Sequence, residues 1–256
     1  MIMMVYLYWL AYAFLGWIVE TTYVSVPTGK FVHRGFLYGP IIPIYGFGAL
    51  SILFILMPFS SSPIFIFLLG ILLTSVLEYI TSYVMEKIFD MRWWDYSQRK
   101  FNINGRICLR NSILFGLLSL VLVEFIHPNM EIFLQSFPDK QLYQFAKISI
   151  FFVFIDFLLS VMNVIDFKEN LQKVEVLYEE LQAWMKKQKE NTALQTLEKQ
   201  VEELDSKINE SLNELQDSFQ KSSKELEKKH RRLLKSFPNI RSDRFDKILK
   251  QFKRKQ

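Results

Sequence analysis

Residues 63–86 read PIFIFLLGILLTSVLEYITSYVME, an apolar stretch of about the length that a helix needs to cross a bilayer. A hydrocarbon core of about 30 Å requires roughly 20 apolar residues in helical conformation. Pro63 suits the first turn of a helix, because the donor that it lacks would be unpaired there anyway. The stretch therefore predicts a transmembrane helix that carries Glu78 deep inside it.

Four further stretches have similar composition and length, and they lie at residues 3–24, 38–57, 111–127 and 146–166. Together they predict an all-α fold, a polytopic bundle of about five transmembrane helices within residues 1–166. After this bundle the chain becomes rich in Glu, Lys and Gln with regularly spaced Leu. We expect a coiled coil over residues 167–237 and a basic amphipathic tail over residues 238–256.

The basic residues of the connecting segments alternate along the predicted bundle. Lys and Arg occur after the first, third and fifth spans, whereas the link after the second span has no charge. Because basic loops stay on the cytoplasmic side, the pattern predicts an outside N-terminus and a cytoplasmic C-terminus. The predicted location is the cell membrane, with several passes.

The charged segment has an apolar stripe at heptad spacing, given by Leu171, Val174, Tyr178, Leu181 and Met185. A single helix cannot bury such a stripe by itself, so we expect a homo-oligomer through the coiled coil or a rod for a partner. A helical hairpin that turns back at residues 186–192, where the stripe lapses, is the alternative.

The C-terminal tail carries apolar residues on one helical face and basic residues among them. The basic residues are Arg244, Lys247, Lys250 and Lys253. This pattern is typical of helices that lie on an anionic membrane surface, so the lipid bilayer is the expected partner. Nothing in the sequence indicates base recognition, and we expect no nucleic-acid partner.

Ionisable side chains within apolar helices are costly and usually face a bundle interior or an aqueous cavity. Three of them, Glu20, Glu78 and Asp156, are candidate site residues. Ser82 follows Glu78 by four residues and therefore shares its helix face. Glu78 is interpreted either as a substrate or proton site or as a hydrogen-bond link between helices, and the same alternatives apply to Asp156.

The segment from His33 to Gly46 cannot form an uninterrupted helix, because Pro40 and Pro43 remove backbone donors and several glycines accompany them. A broken helix at membrane depth is tolerated where it is buried in protein or lines a cavity. The segment is a pocket candidate that includes Arg34 and Tyr45. A kinked entry turn without a ligand is the alternative.

The loop after the third span is rich in aromatic and polar residues, reading RWWDYS over residues 92–97 and FNINGRICL over residues 101–109. Its candidate site residues are Asp95, Tyr96, Asn104 and Arg106. Arg106 could hold a phosphate or carboxylate, and Asp95 could pair with it or transfer a proton. Asn104-Gly105 predicts a turn. The alternative is an interfacial anchor.

The sequence predicts neither a metal site nor a cofactor. Cys108 is the one cysteine, and the three histidines lie far apart without ligand spacing. A Gly-x-x-x-x-Gly-Lys-Ser/Thr phosphate loop is absent from the sequence, so the chain is not predicted to hydrolyse ATP by that motif.

Several of these segments together resemble the putative ABC-transporter type IV permease family of bacterial membrane proteins. The segments are Gly16-Trp17 with Glu20, residues 34–46, Trp93-Trp94-Asp95-Tyr96, and residues 102–109. The resemblance covers roughly residues 3–165 and leaves the coiled coil outside. It implies a permease, whose ATP-derived energy would come from a separate ATPase subunit.

The leading hypothesis is therefore a transport-related subunit in which Glu20, Glu78 and Asp156 line a polar cavity within the membrane. A membrane-embedded enzyme acting on a lipid or envelope precursor is the second possibility, with Arg34 and Arg106 holding an anionic head group. A membrane-anchored coiled-coil scaffold or sensor is the third. The sequence does not decide whether the protein catalyses a reaction.

Overall fold

The computed structural model describes residues 2–59, 61–192 and 201–253, with side chains except at 188–192, 201–211 and 251–253. Contacts between Cα atoms divide the chain into two compact units. Unit 1 comprises Met1–Met162 and Lys235–Arg241, and unit 2 comprises Asn163–Leu234 and Ser242–Gln256. Each unit is described by itself.

Unit 1 is built mainly of helices joined by short connections. Its elements are α1 (Ile2–Thr28), α2 (Pro43–Leu56), a 3-10 turn (Met57–Phe59), α3 (Pro63–Phe89), β1 (Asn102–Ile103), β2 (Ile107–Cys108), α4 (Leu109–Val121), a π-helical turn (Leu122–Ile126), α5 (His127–Gln135) and the first part of α6 (Asp139–Thr192). Strands β1 and β2 pair in antiparallel orientation. This small hairpin is a departure from the all-α prediction.

Among the described residues, four helical runs are long and apolar enough to cross a membrane: Ile2–Thr28, Pro63–Phe89, Leu109–Gln135 and Asp139–Lys187. Their large apolar side chains are mostly exposed, as expected for helices that contact lipid. Helix α2 has 14 residues, or about 21 Å of helix, which is shorter than a hydrocarbon core. A helical bundle whose helices are long and apolar enough to cross a membrane is thus confirmed, whereas the count of five spans and the orientation stay predictions.

Two predicted helix boundaries are decided by prolines. Helix α3 begins at Pro63, as predicted. Residues 33–42 are not helical and α2 begins at Pro43, which confirms the predicted break. The predicted link from residue 127 was wrong, because the helical run continues through a π-helical turn to Gln135. Pro128 lies in the first turn of α5, where its missing donor is tolerated.

Small residues allow close packing of the neighbouring helices α3 and α4. A Cβ atom on Gly70 would lie 2.6 Å from Ser119 Oγ, and one on Gly116 would lie 2.6 Å from Ile71. Small residues are enriched at such contacts in membranes, since helix association there depends on close van der Waals packing. Tyr12, Leu56 and Ile66 lie in the buried cluster that joins α1, α2 and α3.

Unit 2 contains the rest of α6 together with α7 (Val201–Lys229), most of α8 (Arg231–Ser236) and α9 (Asp246–Lys253). The rings of Tyr178 and Phe219 lie 5.9 Å apart, and Lys229 Nζ lies 2.9 Å from Asp166. Later residues of α6 thus contact earlier residues of α7, which is the arrangement of an antiparallel hairpin. Self-association through the coiled coil stays a prediction.

Several heptad positions of unit 2 are buried in this arrangement, namely Leu171, Val174, Leu226 and Leu233. Residues 186–192 are helical, so the predicted position of the hairpin turn within them was wrong. Leu194 and Leu197, which continue the predicted stripe, lie outside the described residues. The buried residues near the two ends of the stripe therefore support its role as a packing surface.

The C-terminal tail forms the predicted helix, but its apolar face is covered. Phe245, Ile248 and Leu249 are at most 2% exposed. Arg244 forms an ion pair of 3.0 Å with Glu175. Binding of this face to a membrane stays a prediction, and it would require release of these side chains. The Lys253 side chain lies outside the described residues.

The tight contact between α3 and α4 predicts that Gly70→Ala destabilises the bundle by about 1–3 kcal/mol through overpacking. Gly48→Ala is the matched control, because nothing lies within 4 Å of a Cβ atom at Gly48. Thermal unfolding in detergent measures both variants. Equal melting temperatures for the Gly70→Ala and Gly48→Ala proteins would contradict this packing.

His230 predicts a pH dependence of unit 2. Burial lowers the pKa of His230 below 6.5, although Asp166 acts in the opposite direction. Because the unfolded chain then binds the proton more readily, stability falls as pH drops through the ordinary histidine range. Hydrogen exchange in α7 should accelerate from pH 7.5 to 5.5 after correction for intrinsic rates. His230→Gln should remove this effect, and equal corrected exchange at both pH values would oppose it.

Candidate functional site

The first part of the candidate site is an ion pair between α1 and the irregular segment that follows it. Arg34 Nη2 lies 2.9 Å from Glu20 Oε1, and the two side chains are 15% and 28% exposed. Glu20 is presented near the end of α1, whereas Arg34 returns towards it after the turn at Gly29. The sequence named both residues, and the structure brings them together.

Tyr45 lies beside this ion pair because α1 has no side chain at Gly16. A Cβ atom on Gly16 would overlap the ring of Tyr45. The Tyr45 phenol interacts with Glu20 and, electrostatically, with Tyr96 and Glu78. It therefore links the Glu20 end of the site to the acidic residue of α3.

Glu78 is the most unusual group of the site, since it is 7% exposed within an apolar helix. Its Oε1 accepts a hydrogen bond of 3.1 Å from the Tyr96 hydroxyl. Its Oε2 is buried and has no hydrogen-bond partner among the described residues. Burial and the negative charge of Glu78 raise the pKa of Tyr96, so this phenol stays a donor.

Glu20, Arg34, Tyr45, Glu78 and Tyr96 thus form one connected group, here called the acidic cluster. Two carboxyl groups and two phenols lie in it with one guanidinium. The free oxygen of Glu78 can accept a proton or a hydrogen bond from a cationic donor. This is the chemistry that the arrangement offers.

A second group surrounds Arg106, which is 7% exposed. Its guanidinium bonds to Glu86 and donates a hydrogen bond of 3.2 Å to Ser82 Oγ. Glu86 also pairs with Arg92 at 2.8 Å. Tyr79 and Tyr83 lie against the Arg106 guanidinium at 5.6 and 5.4 Å from their ring centroids. In this structure the Arg106 guanidinium is therefore bound by side chains of the protein itself.

Asp95 has different partners from the one that the sequence suggested. It accepts hydrogen bonds of 3.0 Å from the Ser97 amide and hydroxyl, and it lies 3.3 Å from Arg241. Burial by itself raises the pKa of Asp95, but these Ser97 and Arg241 contacts outweigh it and lower the pKa below its usual range. The described contacts pair Asp95 with Arg241 rather than with Arg106.

The predicted turn at Asn104-Gly105 connects strands β1 and β2. Both residues have positive φ, 53° and 69°. A Cβ atom on Gly105 would also lie 2.6 Å from Asp95 Oδ1. Glycine is therefore favoured at this position both by the positive φ and by the lack of space for a side chain. Asn104 Nδ2 donates to Tyr79 OH at 2.9 Å, which ties the hairpin to α3.

Asp156 lies on α6 and holds the irregular segment before α2. Its carboxylate accepts hydrogen bonds of 2.8 and 2.7 Å from the amides of Tyr38 and Gly39. Ser160 donates to the same carboxylate at 3.3 Å. These contacts show an anchoring role, and the structure gives no contact between Asp156 and the acidic cluster among the described residues.

Sequence reasoning missed Glu86 and the C-terminal segment of unit 1. Glu86 could have been found, because it continues the four-residue spacing of Thr74, Glu78 and Ser82. No local signal marked Lys235–Arg241, since its contacts with the early loops depend on the tertiary fold. Among the described residues, no group of three or more His, Cys, Asp or Glu could hold a metal ion.

The family model described as putative ABC-transporter type IV matches residues 7–161. The match covers more than half of the 256 residues. The chain belongs to this family. The acidic cluster and the Arg106 group both lie within the matched residues, and the hairpin of unit 2 does not. Comparisons with curated proteins and with solved structures gave no match.

The Arg106 group predicts a large difference between two arginine variants of the same loop. Arg106→Ala leaves Glu86 with Arg92 as its cationic partner and removes the charged hydrogen bonds of Arg106, which should cost about 1.5–3 kcal/mol of stability. Arg99→Ala, at an exposed position, should change stability by less than about 0.5 kcal/mol. Thermal unfolding in the same detergent compares them. Similar melting temperatures for the two variants would contradict a structural role of Arg106.

Proposed function

We propose that this protein is a transport-related membrane subunit in which Glu78 binds a proton or a cationic group of a solute. The observation that supports this function is the buried Glu78 Oε2, which lacks a hydrogen-bond partner among the described residues. A buried polar atom without a partner costs free energy, and an unpaired charge costs more. A group at this position is therefore expected to take a proton or a ligand.

The neighbours of Glu78 favour reversible binding over a fixed helix link. Glu20 already has a cationic partner in Arg34, so that ion pair does not neutralise Glu78. Tyr96 supplies one hydrogen bond but no positive charge, because a phenol is neutral when protonated and anionic when deprotonated. A bound proton or ammonium group would complete the site, and its loss would restore the unpaired carboxylate.

The energy source is proposed to be a separate subunit. The chain belongs to a family described as ABC-transporter-related and has no Walker-type phosphate loop. We infer an ATPase partner, and self-association or a second membrane subunit, because four long helices are few for a complete pathway. Association through the coiled coil remains part of this proposal.

The enzyme alternative has weaker support. It needs Arg34 and Arg106 as free anion-binding groups, but each guanidinium is paired with a carboxylate, Glu20 and Glu86 respectively. Binding a lipid phosphate would require the loss of these ion pairs. The scaffold alternative is tested by truncation after Asp166, which should abolish the activity of a scaffold but leave part of a transporter's activity.

Glu78→Gln tests the proposed function, because it keeps the size of the side chain and removes its charge. The solute is first identified as a metabolite whose level differs between a deletion strain and its parent. We expect Glu78→Gln to lower the restored transport by about tenfold or more, the equivalent of about 1.4 kcal/mol. Glu124→Gln is the matched control, because Glu124 is exposed on another apolar helical run.

Both variants must reach the membrane in equal amounts, which immunoblotting of membrane fractions measures. Full transport by Glu78→Gln at equal abundance would refute the proposed role of the carboxylate. Copurification of the wild-type protein with an ATPase subunit would support the energy source.

A further inference from the structure

Residues 235–241 come from the far end of the chain and lie against the first and third connecting segments of unit 1. Ser236 is fully buried. Its hydroxyl donates a hydrogen bond of 2.8 Å to the backbone carbonyl of His33, and its own carbonyl accepts one from Arg34. The segment therefore supplies an acceptor to the guanidinium that also pairs with Glu20.

The next residue, Phe237, fills an aromatic site. Its ring centroid lies 4.7 Å from that of Trp93 in an edge-to-face arrangement and 5.8 Å from the Arg34 guanidinium carbon. Trp93 is 2% exposed and also contacts Phe36 and Phe89 at ring distances of 5.7 and 6.1 Å. Such edge-to-face contacts are favourable beyond the burial of apolar area.

The end of the segment adds backbone pairing and a second charge contact. Arg241 and Arg92 form an antiparallel bridge with N–O distances of 2.7 and 2.9 Å. The Arg241 guanidinium lies 3.3 Å from Asp95. The bridge is a single residue pair, and the turn before it is closed by a hydrogen bond of 3.0 Å from the Ile240 amide to the Phe237 carbonyl.

We propose that His33, Arg34, Arg92, Trp93 and Asp95 form a peptide-docking site, here called the latch site, which residues 235–241 occupy as a releasable latch. The ligand class is a peptide with a serine at the end of a helical turn, an aromatic residue directly after it and, beyond a second turn, an arginine four residues after the aromatic. The latch site lies within the family match of residues 7–161, and the latch lies outside it.

The latch is coupled to the acidic cluster through one side chain. Arg34 donates to the Ser236 carbonyl with Nη1 and to Glu20 Oε1 with Nη2. When the latch leaves, the guanidinium loses an acceptor and its aromatic neighbour, and water reaches the Glu20 pair. By linkage, if release of the latch changes the affinity of the acidic cluster for a ligand, that ligand changes the docking equilibrium of the latch by the same factor.

Disulfide trapping tests whether the latch site is occupied in the full-length protein. Arg92→Cys/Arg241→Cys, in a Cys108→Ala background, should form an intramolecular disulfide in native membranes. Arg92→Cys/Asn239→Cys is the matched control, because Asn239 is exposed in the turn of the same segment and does not take part in the bridge. Equal cross-linking of both pairs, or none in the first pair, would overturn the docked latch.

Peptide binding tests whether the site is a releasable docking site. A fluorescent peptide of residues 233–243 is titrated against full-length protein in nanodiscs. The Phe237→Ala/Arg241→Ala variant, whose own latch is weakened, should bind the peptide at least about tenfold more tightly than wild type, whose site is occupied. A peptide of scrambled sequence is the control for binding to lipid.

Adding Asp95→Asn to that variant should reduce peptide binding, because Arg241 of the peptide loses its carboxylate. Equal binding by wild type and the latch variant, or no effect of Asp95→Asn, would reject a releasable latch. If the latch variant does not fold, the peptide is titrated instead against the Arg92→Cys/Arg241→Cys variant, first with its disulfide formed. Reduction of its disulfide should then raise peptide binding, and an unchanged affinity would again reject the proposal.

Discussion

The pairing of Glu20 with Arg34 is the interaction on which the organisation of the site depends. A carboxylate at the end of an apolar helix needs a partner, and Arg34 reaches it because the chain leaves α1 at Gly29 and remains irregular until Pro43. Helix α2, which begins where the irregular segment ends, places Tyr45 against the opening left by Gly16. One break in helical structure thus positions a cation, a phenol and two carboxylates together.

Carboxylates in the apolar helices of this protein fall into two physical classes. Glu86 is held by Arg92 and Arg106, and Asp156 by two backbone amides and Ser160, so both have several partners and act structurally. Within the described part of the chain, Glu78 has one hydrogen bond, to one of its two oxygens. The contrast matters because the same fold satisfies carboxylates elsewhere, which makes an unsatisfied one at this depth informative about ligand or proton binding.

The extension beyond the family match has two distinct parts. The hairpin of α6 and α7 packs its own apolar stripe, as the burial of Leu171 and Leu226 shows. Residues 235–241 instead belong to unit 1, where they contact the loops that hold Arg34 and Asp95. An extension that reaches these loops offers a route by which its state can influence the acidic cluster.

The membrane helices, the break before Pro43, the start at Pro63 and the Asn104-Gly105 turn were determined by sequence alone, because hydropathy, proline geometry and glycine's positive φ act locally. The candidate residues were also named from sequence, since charge in an apolar helix is visible there. Their partners were not. Only tertiary structure assigned Arg106 to Glu86 and Asp95 to Arg241, because ion pairs between distant residues depend on which helices and loops pack together.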